Sequence, residues 1–126
     1  MKFLHTRSYE RLALIVARVF LAIQFGIAAW FKIVGFGGEV AATAQVGVPF
    51  ANIAVVLALI LEVVGVAALL TGIKLRPVAF LLALYAALLA VLFYHDWSNQ
   101  MVFGLFVSHL GLIAALLYVS VFGSKK

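Results

Sequence analysis

Four residues stand out because they are polar or charged yet lie inside long apolar runs: Arg18, Gln24, Glu62 and His109. An ionised side chain at the centre of a membrane helix costs about 2.5 to 3.5 kcal/mol on insertion scales, so each such residue needs a partner, water or a ligand. At about 1.5 Å per residue, Glu62 lies about 15 Å from one end of its run and Arg18 about 10 Å along its own from the same side, a gap that an arginine side chain closes. Gln24 and His109 come out near the depth of Glu62. The spacing therefore predicts one small polar cluster in mid-membrane. Two kinds of chemistry are open to it: Arg18 and Glu62 can simply neutralise each other and hold two helices together, or the cluster can offer polar contacts to a carbonyl and a path for a proton.

A second group, Lys32, His95 and Asp96, falls at the ends of apolar runs on one side and forms a candidate outer mouth. For Lys32 the alternative is an interface anchor that snorkels outward, and for His95-Asp96-Trp97 it is a polar cap with an interfacial tryptophan. No nucleophile–base pair and no metal cage completes a catalytic constellation. A lone His109 makes no metal site. A haem needs facing histidines at one depth, whereas His95 and His109 are about 12 Å apart along the helical rise.

The composition says what must position these residues. Of 126 residues, 67% are hydrophobic and 10% charged, with mean hydropathy +1.26; a soluble domain is about half apolar and a quarter charged. The chain is thus read as an integral membrane protein, and a soluble enzyme is excluded. It contains no cysteine, which removes disulfides, thiolate metal sites and iron–sulfur clusters.

The apolar residues form four blocks near the roughly 20 residues that cross a bilayer as helix. The expected fold is an all-α four-helix bundle in a single membrane domain covering residues 1–126, with spans at about residues 11–34, 50–72, 77–94 and 101–122. Gly35-Phe36-Gly37-Gly38 reads as a breaker after the first span, and Glu39 to Gln45 is compatible with a brief interfacial helix. Pro77 suits the first turn of the third span, where a missing N–H costs nothing. The first block is longer than a signal-peptide core and is interrupted by Arg18, so it is expected to stay on the protein as a span.

A formal charge of +5 and a pI near 9.9 would suggest nucleic acid in a soluble protein. Here the basic residues flank apolar segments instead, so no nucleic-acid partner is expected. Lys2, Arg7 and Arg11 precede the first block, Lys74 and Arg76 lie between the second and third, and Lys125 and Lys126 follow the fourth, while the opposite connections carry Glu39 and Asp96. The positive-inside rule then puts both termini in the cytoplasm.

Ala51, Ala54, Ala58, Glu62, Gly65, Ala68 and Gly72 recur at spacings of three and four along the second span, which lines them up on one stripe. Small residues there let helix backbones approach, and they turn Glu62 toward other helices. Gly104, Ser108, Gly111 and Ala115 form a shorter stripe in the fourth span. Arg18, Phe25 and Lys32 are seven apart and share a face of the first span, which is placed to meet the Glu62 stripe.

In their order and spacing, Gly26-x5-Lys32-x2-Gly35-Phe36, Gly47-Val48-Pro49, Glu62-Val63-x-Gly65 and Gly72-x3-Arg76-Pro77 resemble the DoxX family, as do His95-Asp96-Trp97 and Gln100. The similarity runs over nearly the whole chain. It implies a small four-helix protein of the bacterial cytoplasmic membrane, of a type associated with quinone-linked sulfur or redox metabolism and with membrane-anchored oxidoreductase complexes. One position departs: where such sequences often carry Lys-Asn early in the fourth span, this chain has Ser108-His109, so a role of that pair does not transfer. Two classes of function follow. In one, the protein is a membrane subunit or anchor that binds quinone and a soluble redox protein; in the other, it is a transporter or channel-like element for a small solute or lipid, or a non-catalytic scaffold. Contact with lipid is common to both, and an oligomer is compatible with either.

Overall fold

The computed structural model describes residues 7–94 and 96–123, so His95, Lys2, Lys125 and Lys126 lie outside the described residues. Five helices follow in order: α1 (Arg7–Val34), α2 (Phe36–Gln45), α3 (Ala51–Thr71), α4 (Leu75–Phe93) and α5 (Gln100–Phe122). All but α2 are long and apolar enough to cross a membrane. The 21 residues of α3 extend for about 31 Å, close to the thickness of a bilayer's hydrocarbon core.

The connections explain the alternating directions. Only Gly35 leaves the helix between α1 and α2, whereas Gly37 and Gly38, read as part of a breaker, are helical. The Gly35 N–H donates to the Phe31 carbonyl at 2.8 Å and its own carbonyl accepts from Glu39 at 3.0 Å, so the break strands no backbone group of that residue. At the end of α3, Gly72 takes a left-handed φ of +82° and donates its N–H to the Ala68 carbonyl, a conformation that costs glycine nothing. Three residues then suffice to reverse the chain into α4. That helix starts at Leu75, two residues before the expected start. Pro77 still falls where an N–H has no intrahelical partner. The side chain of Asn99 caps α5 by accepting from the N–H groups of Met101 at 3.0 Å and Val102 at 3.3 Å, as short polar side chains do at helix starts.

α1 packs along α3, α3 meets α4, and α4 packs most extensively against α5, while α1 and α5 barely touch. The shared core is Leu21 and Phe25 from α1, Leu69 from α3, Ala79, Leu82, Ala83 and Ala86 from α4, and Leu116 and Val119 from α5. Gly65 permits the α3–α4 approach, since a Cβ there would lie 2.8 Å from Leu82 Cδ1. Phe20, Leu57 and Val91 point outward, as lipid-facing residues must. The small stripe of α5 does not pack as its spacing suggested: nothing lies within 4 Å of a Cβ built at Gly104 or Gly111, and the Ser108 hydroxyl bonds back to the Gly104 carbonyl.

Candidate functional site

The polar site forms around Glu62, and its cation is Lys32. Lys32 Nζ donates to Glu62 Oε2 at 3.0 Å, and the hydroxyl of Tyr85 donates to the same oxygen at 2.8 Å. Glu62 is 1% exposed, and its Oε1 has no hydrogen-bond partner among the described residues. A second carboxylate, Glu39 Oε1 from α2, lies 3.7 Å from the same ammonium. One positive charge thus stands between two negative ones.

Helix register explains why Lys32 and not Arg18 reaches Glu62. Gly26 faces Val66, a Cβ there lying 3.9 Å from Val66 Cγ2. In an antiparallel pair Lys32, six residues further along α1, is therefore level with about Ile60, some 13 Å inside α3 at helical rise. The reading of Lys32 as a boundary residue that snorkels outward is corrected: its side chain is 13% exposed and turns inward. Arg18 lies about two helical turns away from Glu62, where its Nε donates to the Leu69 carbonyl at 2.9 Å. Its guanidinium passes beside Gly72, 3.2 Å from where a Cβ would sit. Arg18 thus satisfies the end of α3, and the expected Arg18–Glu62 pair is not formed. The shared face of Arg18, Phe25 and Lys32 does meet α3; the register along it decides which cation finds the acid.

The other expected members of the cluster fall elsewhere. Gln24 is exposed, because it lies about 100° round the helix from buried Phe25. His109 is half-buried on α5, where its Nδ1 is 3.1 Å from the Leu105 carbonyl and its ring packs on Tyr94 at a centroid separation of 4.9 Å. Asp96 is exposed and accepts from the Ser98 hydroxyl. The position of His95 is outside the described residues. Of the outer-mouth group, then, Lys32 joins the mid-membrane acid Glu62, and Arg18, Gln24 and His109 do not.

Beside this triad lies a cavity of about 240 Å³. α2 and α4 each pack on α3 and, among the described residues, not on each other, and the cavity is the gap they leave. Its polar lining is Lys32, Glu39, Thr43, Tyr85 and Tyr94, and its apolar walls include Val55, Leu88, Leu89, Leu92 and Phe93. Ala54 and Ala58, which read as packing residues in the α3 stripe, line the cavity, so their small size opens space instead of closing a helix contact. Sequence reasoning misses Tyr85 and Tyr94, since an uncharged tyrosine in an apolar run carries no ionic cost that demands a partner. The one available signal was the spacing of Tyr85 from Pro77, which puts it well inside its span.

A lysine ammonium carries three donors and a tyrosine hydroxyl one donor and an acceptor lone pair. With one Lys32 donor committed to Glu62, others remain for a group in the cavity. The arrangement suits a mainly apolar ligand with an acceptor oxygen, since pockets of this kind bind through apolar walls and a few convergent polar groups. Fixed by a buried carboxylate, the ammonium needs little reorganisation to donate.

These features define a multi-pass, all-helical membrane protein with an ionic centre inside the bilayer. The chain belongs to the DoxX family, whose pattern it matches over residues 13–95. It is 32% identical to inner membrane protein YphA of Escherichia coli (strain K12) over 85 residues, covering 68% of this chain and 61% of YphA. It is 28% identical to inner membrane protein YqjF of the same organism over 117 residues, covering 93% of this chain and 88% of YqjF. The chain thus spans about three-fifths of the length of YphA. No solved structure matches it. With four spans and these relatives, it is a multi-pass protein of the inner membrane.

Proposed function

We propose that the chain is the quinone-binding membrane subunit of a redox system whose electrons come from a separate soluble protein. The observation that carries this reading is the pairing, on one cavity, of the Lys32 ammonium and the Tyr85 hydroxyl with the apolar walls of Leu88, Leu89, Leu92 and Phe93. Lys32 and Tyr85 would hold a carbonyl oxygen, and the leucines and Phe93 an uncharged ring. A quinone supplies two-electron, two-proton chemistry when bound. Glu62 fixes the ammonium by hydrogen bond and charge. A chain without cysteine holds no iron–sulfur relay of its own, so the electron donor belongs to a partner.

The orientation that fits is both ends in the cytoplasm. Arg11, Lys74 and Arg76 lie toward one membrane face and Glu39 and Asp96 toward the other, and the positive-inside rule supports that assignment.

The test is solvent extraction of the protein purified from its own membranes in mild detergent, followed by chromatography with ultraviolet detection. Quinone in near-stoichiometric amount is expected. A quinone content no higher than that of the co-purified bulk lipid contradicts the reading.

A further inference from the structure

We propose that Glu39, Lys32 and Glu62 form a proton relay that supplies the buried site from the membrane face bearing Glu39, and not from the face bearing Lys74. Its geometry is a short chain of titratable atoms. The Glu39 side chain is 38% exposed and Glu62 1%, with Lys32 Nζ between them at 3.7 and 3.0 Å. A shift of about 1 Å by the ammonium brings Glu39 into hydrogen-bond range, well within the reach of a flexible four-carbon stem. Two carboxylates therefore compete for one ammonium, and the proton that settles the competition has an obvious route.

The step conserves charge and atoms. Lys32 gives a proton to the Glu62 carboxylate, leaving a neutral amine and a carboxylic acid; Glu39, protonated from water at the cavity mouth, then gives its proton to the amine. Glu62 Oε1, buried with no partner among the described residues, is an open acceptor for that proton. In the other direction the path is blocked. Between Glu62 and the Lys74 turn the helices close over fully buried Leu69, Ala79, Leu82 and Leu116, an apolar plug whose one neighbouring charge among the described residues, Arg18, is held on the Leu69 carbonyl and stays protonated.

Few groups bear on Glu62. Lys32 faces it from α1, Tyr85 from α4, and Glu39 from α2 across Lys32; α5 does not pack on α3 among the described residues. Arg18 of α1, the next charge toward the Lys74 turn, is committed to the Leu69 carbonyl.

The relay rests on the quinone reading only for the use made of the proton, and its test needs no quinone. Full-length protein in lipid vesicles is stepped between mildly alkaline and mildly acidic buffer while the carboxyl C=O stretch is followed by infrared spectroscopy. A band that disappears in Glu62→Gln reports protonation of Glu62. Glu39→Gln is expected to slow its appearance on the order of a hundredfold, in line with the loss of a positioned proton donor. Arg76→Gln, on the opposite face, should leave the rate alone. The proposal is overturned if no band is lost with Glu62→Gln, if Glu39→Gln responds as fast as the parent, or if it changes the amplitude without the rate. A failure of the protein to bind quinone would leave all of these results standing.

Discussion

Lys32 of α1 meets Glu62 of α3 at 3.0 Å, inside the membrane and about 16 Å from the start of α3 at helical rise. Each is costly there alone, because the desolvation of Glu62 is offset by Lys32 and the Tyr85 hydroxyl, and that of Lys32 by Glu62 and the more distant Glu39. The site is therefore held together by the same pairing that makes it useful: the carboxylate that stabilises the ammonium also aims it at the cavity.

Lys32→Met should destabilise the protein by about 3 to 5 kcal/mol, the usual consequence of removing one partner of a buried ion pair. Adding Glu62→Gln should recover much of the loss, because the stranded charge is then gone. Thermal melts in detergent of the two single variants and the double variant check this. Losses that simply add would mean that the two residues are not coupled.

Arg18 and Glu62 should behave independently. Arg18→Gln removes a hydrogen bond to the Leu69 carbonyl, a loss of about 1 to 2 kcal/mol for a charged donor that is only partly buried. Combined with Glu62→Gln, the effects should add within about 0.5 kcal/mol, as for residues without shared partners. A strong rescue in the double variant would restore the pairing expected from helical depth alone.

That contrast shows how far the sequence is legible. Apolar block lengths reveal the four spans, because a bilayer imposes a length on each, and the Ala and Gly spacing in α3 turns Glu62 inward. The heptad spacing of Arg18, Phe25 and Lys32 identifies the face that meets α3. The partner of Glu62 is not legible, since it depends on the sliding register of α1 against α3, which Gly26, Val66 and the Gly35 break set together. Nor does the sequence reveal the cavity. It arises because α2 folds back on α3 without reaching α4, and that leaves Ala54 and Ala58 facing space.

Gly65→Ala should cost about 1 to 3 kcal/mol, as overpacking does. The added Cβ would lie 2.8 Å from Leu82 Cδ1, and Leu82 is fully buried in the shared core. A melt unchanged from the parent would contradict the close approach of α3 and α4 at Gly65.

The cysteine-free sequence makes the orientation easy to test. With single cysteines placed by Ser98→Cys and Ser124→Cys, an impermeant maleimide added to intact cells should label the first and spare the second until the membrane is opened. Labelling of Ser124→Cys in intact cells would reverse the assignment of the two faces.

The central claim is that the cavity beside Lys32 and Tyr85 takes a quinone head group, and filling the cavity tests it most directly. Ala58→Leu puts a larger side chain into the cavity wall at a helical position where leucine is well tolerated. Titration of a short-tailed quinone into the purified protein, followed by quenching of its tryptophan fluorescence, should give saturable binding to the parent. The variant should bind at least about tenfold more weakly, equivalent to about 1.4 kcal/mol, with an unchanged melting temperature. Equal affinity in parent and variant, or no saturable binding by the parent, would contradict the account.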